Sequence, residues 1–374
     1  MSQTLIDNSP RTIRAPGRVN LIGEHTDYND GFVMPAAIGF SVFVRVWPRE
    51  DRKLEIRSEN FGDQIEFDLD EPNPAPRQHW SDYAVGVAVM LERAGHRLRG
   101  AHLQLRGEVP VGSGLSSSAA VEVATACALT ANSDLSIDKR ELALICQRAE
   151  NEFVGARVGI MDQFTSLFGQ AQRALMLDCR SLEFKLLPVP DTVKLVICNT
   201  MVKHALASSA YNERRAQCEA GVRHLARFLP DVKALRDVTI EQLEQFGRDL
   251  PEVVYRRCRH VITENARVLA AAEALEQHDL DHFGRLMAES HDSLRNDYEV
   301  SSRELDLMVE LARRVEGVYG ARMTGGGFGG CTVNLVEGGY VEQFKESVPK
   351  LYQRITALKP EIYVCEPSNG AEEI

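Results

Sequence analysis

A chain of 374 residues with 44% hydrophobic and 26% charged side chains has the composition of a globular protein, large enough for one large or two medium domains. Its 54 acidic against 43 basic residues give a net charge of −11, which argues against an electrostatic nucleic-acid binder, because neutralising phosphates needs a Lys/Arg excess. No apolar stretch is long enough to span a bilayer, residues 1–10 lack the order of a secretion signal, and the eight cysteines stand singly; a cytosolic protein with reduced thiols and no membrane partner is expected.

Met1 to Arg11 reads as a loose leader and Thr12 to Ala15 as the start of a first strand. Ala15 to Gly31, A-P-G-R-V-N-L-I-G-E-H-T-D-Y-N-D-G, follows with a Pro-Gly turn, an extended Val19 to Ile22 and a polar run opened by Gly23. A solvated loop accounts for such a run. So does convergence of Glu24, His25 and Asp27 on a ligand rich in hydroxyls, since carboxylates and imidazole supply the acceptors and donors a sugar needs. A transition-metal site is disfavoured, because only one His is present and adjacent Glu24 and His25 face opposite ways on an extended segment.

Phe40 to Trp47, Leu54 to Ser58 and Gln64 to Leu69 read as strands of an antiparallel sheet, and Trp80 to Ala94 has helical spacing. Trp80 is either a core side chain or a platform for an adenine ring. After a strand over Ala101 to Val109 comes V-P-V-G-S-G-L-S-S-S-A-A, Val109 to Ala120, an open loop running into a helix over Ser116 to Ala131. Glycines let backbone N–H groups approach closely, and a helix start adds unpaired donors and partial positive charge, so this stretch suits an anion. A flexible loop with an ordinary serine cap fits the same letters.

Lys139 to Val154 is a further expected helix, with Glu150 and Glu152 on it. In G-I-M-D-Q-F, Gly159 to Phe164, an acid and an amide sit among apolar residues, and Asp162 is either an N-cap or a buried catalytic carboxylate. Strands are expected over Leu175 to Leu177, Phe184 to Leu187 and Lys194 to Asn199, with a domain boundary at Pro188 to Asp191 that divides the chain into 1–190 and 191–374. Helices follow over Tyr211 to Leu229, Val253 to Leu275, Leu280 to His291 and Ser301 to Val315, packed on a small sheet. Gly325, Gly327 and Gly330 satisfy G-x-G-x-x-G, yet Cys331 to Val336 after them reads as a strand, so the dinucleotide-fold reading fails on context. A glycine run before a strand implies close backbone approach to another element or to a ligand. Tyr340 to Leu351 and Glu361 to Cys365 supply a last helix and strand.

Taken together, G-R-V-N-L-I-G-E-H-T-D-Y at Gly17 to Tyr28, P-V-G-S-G-L-S-S-S-A-A at Pro110 to Ala120, G-I-M-D-Q-F, and T-G-G-G-F-G-G-C at Thr324 to Cys331 resemble the GHMP small-molecule kinases. The first motif is similar to that of the galactokinase family in particular. The resemblance implies an α+β fold of two domains, one of the ribosomal-protein-S5 type and one ferredoxin-like, with the active site between them. It implies an enzyme that uses ATP and Mg²⁺ to phosphorylate the anomeric hydroxyl of α-D-galactose, with galactose and ATP as its small-molecule partners and no obligatory protein partner.

Position by position, the resemblance gives Glu24, His25, Asp27, Gly159, Asp162 and Tyr211 to galactose, the last through the run H-A-L-A-S-S-A-Y. Arg18 is expected beside Asp162 as the catalytic pair. Ser118 and Glu150 match the magnesium ligands. Gly112, Ser113, Gly114, Leu115, Ser116 and Ser117 are expected around the triphosphate, with Ser118 at their end and Trp80 and Tyr83 on the adenine side. The leader before Ala15 is shorter than in many relatives. Two alternatives stand beside this reading. One is a kinase for N-acetylgalactosamine or a related sugar; the other is a non-catalytic sensor of galactose and ATP, which the intact Ser116 to Ala120 disfavours.

Overall fold

The computed structural model describes residues 9–110, 112–203 and 207–374; the leader up to Asn8, and His204 in the run that ends at Tyr211, lie outside them. The N-terminal part runs β1 (Arg11–Asn20), β2 (Phe32–Val33), β3 (Pro35–Pro48), β4 (Lys53–Ser58), β5 (Asp63–Asp68), α1 (Asp82–Arg93), β6 (Ala101–Gly107), α2 (Ser117–Asn132), α3 (Lys139–Arg148), α4 (Met161–Phe168), β7 (Arg173–Asp178) and β8 (Phe184–Pro188). It continues with β9 (Val193–Lys203), α5 (Ala207–Leu225), α6 (Ile240–Phe246), α7 (Glu252–Glu276), α8 (Leu280–Ser293), α9 (Arg303–Ala312), β10 (Val318–Thr324), β11 (Gly329–Glu337), α10 (Val341–Thr356), β12 (Glu361–Cys365) and β13 (Glu372–Glu373). The fold is α+β.

Six strands in the order β13-β1-β3-β6-β4-β5 form the larger sheet. The expected antiparallel sheet of β3, β4 and β5 is corrected in one respect: β6 inserts between β3 and β4 and runs parallel to β4, because the chain leaves β5 through α1 and re-enters beside β4 rather than by a hairpin. Helices α1 and α2 pack together, and α2 lies on β1 and β3, burying Val123, Ala124, Ala126 and Leu129. A second sheet, β10-β11-β9-β12, carries α9 and α10. α6 has no counterpart among the expected helices, because its seven residues are too few to show a helical period, although Thr239 and Gln242 form a capping box at its start.

Two deviations from regular geometry position the site. Pro16-Gly17 is not a turn: it interrupts the β1–β3 register within one continuous strand. At this irregularity the Arg18 N–H donates to the Leu115 carbonyl at 3.1 Å, and a Cβ on Gly17 would lie 2.5 Å from that same oxygen. The strand is thereby laid directly against the glycine-serine loop. Downstream, α3 passes into a π-helical turn over Ala149–Val154 that carries Glu150; the N-cap of α3 is Asp138, which accepts from the Arg140 N–H at 2.8 Å.

Candidate functional site

Arg18 and Asp162, 144 residues apart, meet in a bidentate ion pair: Nε to Oδ1 at 2.9 Å and Nη2 to Oδ2 at 2.8 Å. Asp162 is the second residue of α4, whose N-cap is Ile160, so the capping alternative for Asp162 is excluded. The Arg18 Nη1 also donates to the Gly114 carbonyl at 2.6 Å, which ties the pair to the glycine-serine loop. Ser116 takes a left-handed backbone, φ 60°, and its hydroxyl donates to Asp162 Oδ2 instead of capping α2.

Two cavities meet at this pair. One, of about 590 Å³, is lined by Arg18, Glu24, His25, Asp27, Gly159, Asp162, Tyr211 and the turn from Gly325 to Phe328. The other, of about 510 Å³, is lined by Trp80, Tyr83, Gly112, Gly114, Leu115 and Ser116 to Ser118, with Glu150 and again Arg18 and Asp162. Ser113 does not line it; its hydroxyl donates to the Pro110 carbonyl at 2.7 Å. Phe61, which no sequence feature singled out, stacks on Trp80 at 5.9 Å in the second cavity, while the Trp80 indole N–H donates to Asp63 at 3.0 Å.

The polar run after Gly23 folds into a tight turn and is not a solvated loop: Glu24, His25 and Thr26 are buried, and His25 adopts φ 63°. Thr26 Oγ1 donates to the Gly23 carbonyl, and Asn29 Nδ2 to that of His25, both at 2.9 Å. Glu24 is 2% exposed and accepts from Asn20 Nδ2 and from the Gly325 N–H, each at 2.7 Å, with the wholly buried Arg322 guanidinium at 3.5 Å. Burial pushes the Glu24 carboxyl up, and the Arg322 charge opposes the shift.

His25 is held well below its ordinary pKa by burial and by nearby His260, so the ring is neutral. Its Nδ1 pairs with the Tyr28 hydroxyl at 2.8 Å, Tyr28 with Tyr298 at 2.8 Å, and Tyr298 with Cys218 Sγ at 3.1 Å. That leaves the buried Nε2 without a protein partner. The Tyr211 ring stands 5.6 Å from His25 and 5.4 Å from Tyr28.

Asp27 is pushed up to about 7 by burial and then by the charge on Asp162. Such a carboxyl keeps its proton in the fold where the unfolded chain has already lost it, so its contribution to stability falls as pH rises from about 4 to about 7. The thermal midpoint of Asp27→Asn relative to the parent, followed by scanning fluorimetry without ligands, should therefore climb between pH 5 and pH 8. A constant offset over that range would contradict the assignment.

Glu150 is likewise raised to about 7 by burial and Asp162, and takes hydrogen bonds from Ser118 and Gln163. The glycine run explains how the two halves approach: a Cβ on Gly325 would lie 3.2 Å from the Gly114 carbonyl oxygen, and one on Gly330 3.2 Å from that of Ser113. β11 does follow the run as a strand, as its letters indicate.

Asn20, Tyr28, Glu122, Gln163, Tyr298 and Arg322, like Phe61, are residues of this region to which the sequence assigns no role. Among the described residues, no cluster of three or more His, Cys, Asp or Glu side chains could hold a metal, and no helix is long and apolar enough to cross a membrane.

Comparison with known proteins agrees with this geometry. The GHMP kinases N terminal domain profile matches residues 82–170, the GHMP kinases C terminal profile residues 271–354, and the galactokinase galactose-binding signature residues 3–48. A galactokinase of Roseiflexus sp. (strain RS-1) is 47% identical over 362 residues, spanning 97% of this chain and 92% of that protein. The crystal structure of Lactococcus lactis galactokinase complexed with galactose superposes with a TM-score of 0.94 at 38% identity, covering 98% of this chain and 95% of that one. Methanococcus jannaschii mevalonate kinase shares the fold, with a TM-score of 0.66 at 18% identity over 97% of this chain and all of its own.

Proposed function

The chain belongs to the galactokinase family of the GHMP kinases, and on that premise we infer that it phosphorylates galactose at the expense of ATP. The observation that carries this reading is the Arg18–Asp162 pair, which forms the common wall of a chamber rich in hydroxyl partners and a chamber bounded by a donor-rich loop. A sugar in the first and a triphosphate in the second would face each other across it. The hydroxyl that reacts is proposed to be the anomeric one of α-D-galactose.

In this reading Glu24, His25, Asp27 and Tyr211 hold the sugar, Gly159 leaves room for Asp27, and Asp162 accepts the hydroxyl proton as the sugar oxygen bonds to the γ-phosphorus and ADP departs. Phosphoryl transfer depends on in-line positioning and charge neutralisation more than on covalent help. Arg18 orients the Asp162 carboxylate and brings positive charge to the phosphate side. The loop from Gly112 to Ser118 surrounds the triphosphate, with Trp80 and Tyr83 toward the base.

The donor set fits Mg²⁺ as well: the Ser118 hydroxyl and the Glu150 carboxylate are hard oxygens in mutual contact at the mouth of the loop, and this cation takes its other positions from water and phosphate. Bound there, it would neutralise phosphate charge. Two domains, 1–190 and 191–374, and a cytosolic location complete the proposal.

The test is an ADP-release assay across sugars. Turnover with galactose is expected; none with galactose beside good turnover with N-acetylgalactosamine would overturn the substrate, and none with any sugar would favour a sensor. A pocket prediction accompanies it. A Cβ at Gly159 would lie 1.9 Å from Asp27 Oδ2, so Gly159→Ala must displace that carboxyl. Losing a charged hydrogen bond costs about 1.5–3 kcal/mol, so KM for galactose should rise at least roughly tenfold with a smaller change in kcat. An unchanged KM would remove Asp27 from the sugar.

A further inference from the structure

Directly after Asp162, the Gln163 side chain points the other way, into the protein. It is fully buried, and its single amide nitrogen donates to Glu150 Oε2 at 2.7 Å and to Glu122 Oε2 at 2.9 Å. Both amide hydrogens are thereby used, one on each carboxyl.

Glu122 is also fully buried, one helical turn after Ser118 on α2. Its Oε1 and the Gln163 Oε1 have no hydrogen-bond partner. The amide is thus the link between three elements: α2, which begins at the glycine-serine loop; the π-helical turn that carries Glu150; and α4, which carries Asp162.

We propose that Gln163 is a positioning residue for the cation, holding the Glu150 carboxylate beside Ser118 and fixing it relative to Asp162. The inference rests on the reading that Ser118 and Glu150 bind Mg²⁺. A carboxylate free to rotate offers its oxygens in many directions; one pinned through Oε2 presents the other oxygen in a set direction, the part that groups behind a metal ligand play. The coupling has a geometric reason, since adjacent residues of one helix set the acid that faces the sugar and the acid that faces the phosphates. The bland alternative is that Gln163 merely fills and satisfies the interior beneath α2.

The two readings separate on cation affinity. Full-length protein with a non-hydrolysable ATP analogue is titrated with Mn²⁺, bound metal is read by electron paramagnetic resonance, and galactose affinity is measured by calorimetry on the same samples. Gln163→Leu, which keeps volume but lacks donors, should weaken Mn²⁺ binding by about 10- to 100-fold and leave galactose affinity within about twofold. The kcat deficit of this variant should be partly recovered by raising Mg²⁺.

Gln163→Asn, an amide too short to span both carboxyls, should behave likewise, and it carries the test if the leucine variant fails to fold. Glu122→Gln, which leaves the Glu150 contact in place, should have a smaller effect. Unchanged Mn²⁺ affinity in the Gln163 variants, with Glu150→Ala clearly weakened, would overturn this inference alone. Equal loss of galactose and Mn²⁺ affinity would also overturn it, as a general packing defect. Mn²⁺ affinity unchanged even in Glu150→Ala would remove the metal reading itself, and this inference with it.

Discussion

Replacing Asp162 by Asn should lower kcat by about 10²- to 10⁴-fold while leaving nucleotide affinity within a few-fold, as read from steady-state turnover and from calorimetry with a non-hydrolysable ATP analogue. The asymmetry follows from the geometry. The amide retains size and one acceptor, so the chambers on either side keep their shape. What disappears is the proton acceptor, and with it the anionic half of the bidentate pair with Arg18. The Arg18 contact to the Gly114 carbonyl is untouched, so the loop should stay in place. A loss of only about tenfold would mean that Asp162 orients the hydroxyl without taking its proton, since positioned acid–base groups contribute more than that. Near-normal turnover would remove Asp162 from the reaction.

Glu24→Ala should be the most destabilising of the single changes in the sugar chamber, lowering unfolding free energy by about 3–5 kcal/mol. Arg322 is completely buried, and among the described residues Glu24 is the carboxylate within ion-pairing distance of it. Two of the Arg322 nitrogens, Nε and Nη2, already lack hydrogen-bond partners, and alanine would leave the charge uncompensated. It would also orphan Asn20 Nδ2 and the Gly325 N–H. Glu24→Gln, which keeps an acceptor for one of these donors, should cost less. Urea unfolding with an unchanged m-value reads the difference; a loss below about 1 kcal/mol for alanine would show that the arginine finds water or another partner.

Much of this site is legible in the letters, for physical reasons that differ by residue. The loop from Val109 to Ala120 stands out through glycine and serine and the run from Gly23 to Gly31 through clustered charge, but a plain loop fits each taken alone, and only their combination with the other motifs narrows the choice. The meeting of Arg18 with Asp162 is not legible from spacing at all; it came through resemblance, since nothing local relates residues 144 positions apart. Glu122 was invisible because a single acid in an Ala-rich helix looks like a solvated face, although its spacing of four from Ser118 places both on one side. Gln163 carries a visible signal, an amide among apolar residues, but nothing in the letters names the two carboxyls it joins. Pro16-Gly17 misled because the pair favours turns, and only the packing of Gly17 on Leu115 shows why a strand tolerates it.

All eight cysteines are unpaired, and every one has its thiol raised above the ordinary value by burial: Cys127 and Cys218 to about 11, Cys198 and Cys365 to about 12, the others upward in the same sense. Because the thiolate is the reactive species, a thiol of pKa about 11 is ionised at neutral pH in roughly one molecule per ten thousand. The native thiols should therefore react only slowly with maleimides and iodoacetamides, which a timed labelling assay at pH 7 checks. A cysteine placed at exposed Arg157, on the rim of the sugar chamber, would take a fluorophore almost alone and report on substrate entry without first stripping the chain of its own thiols.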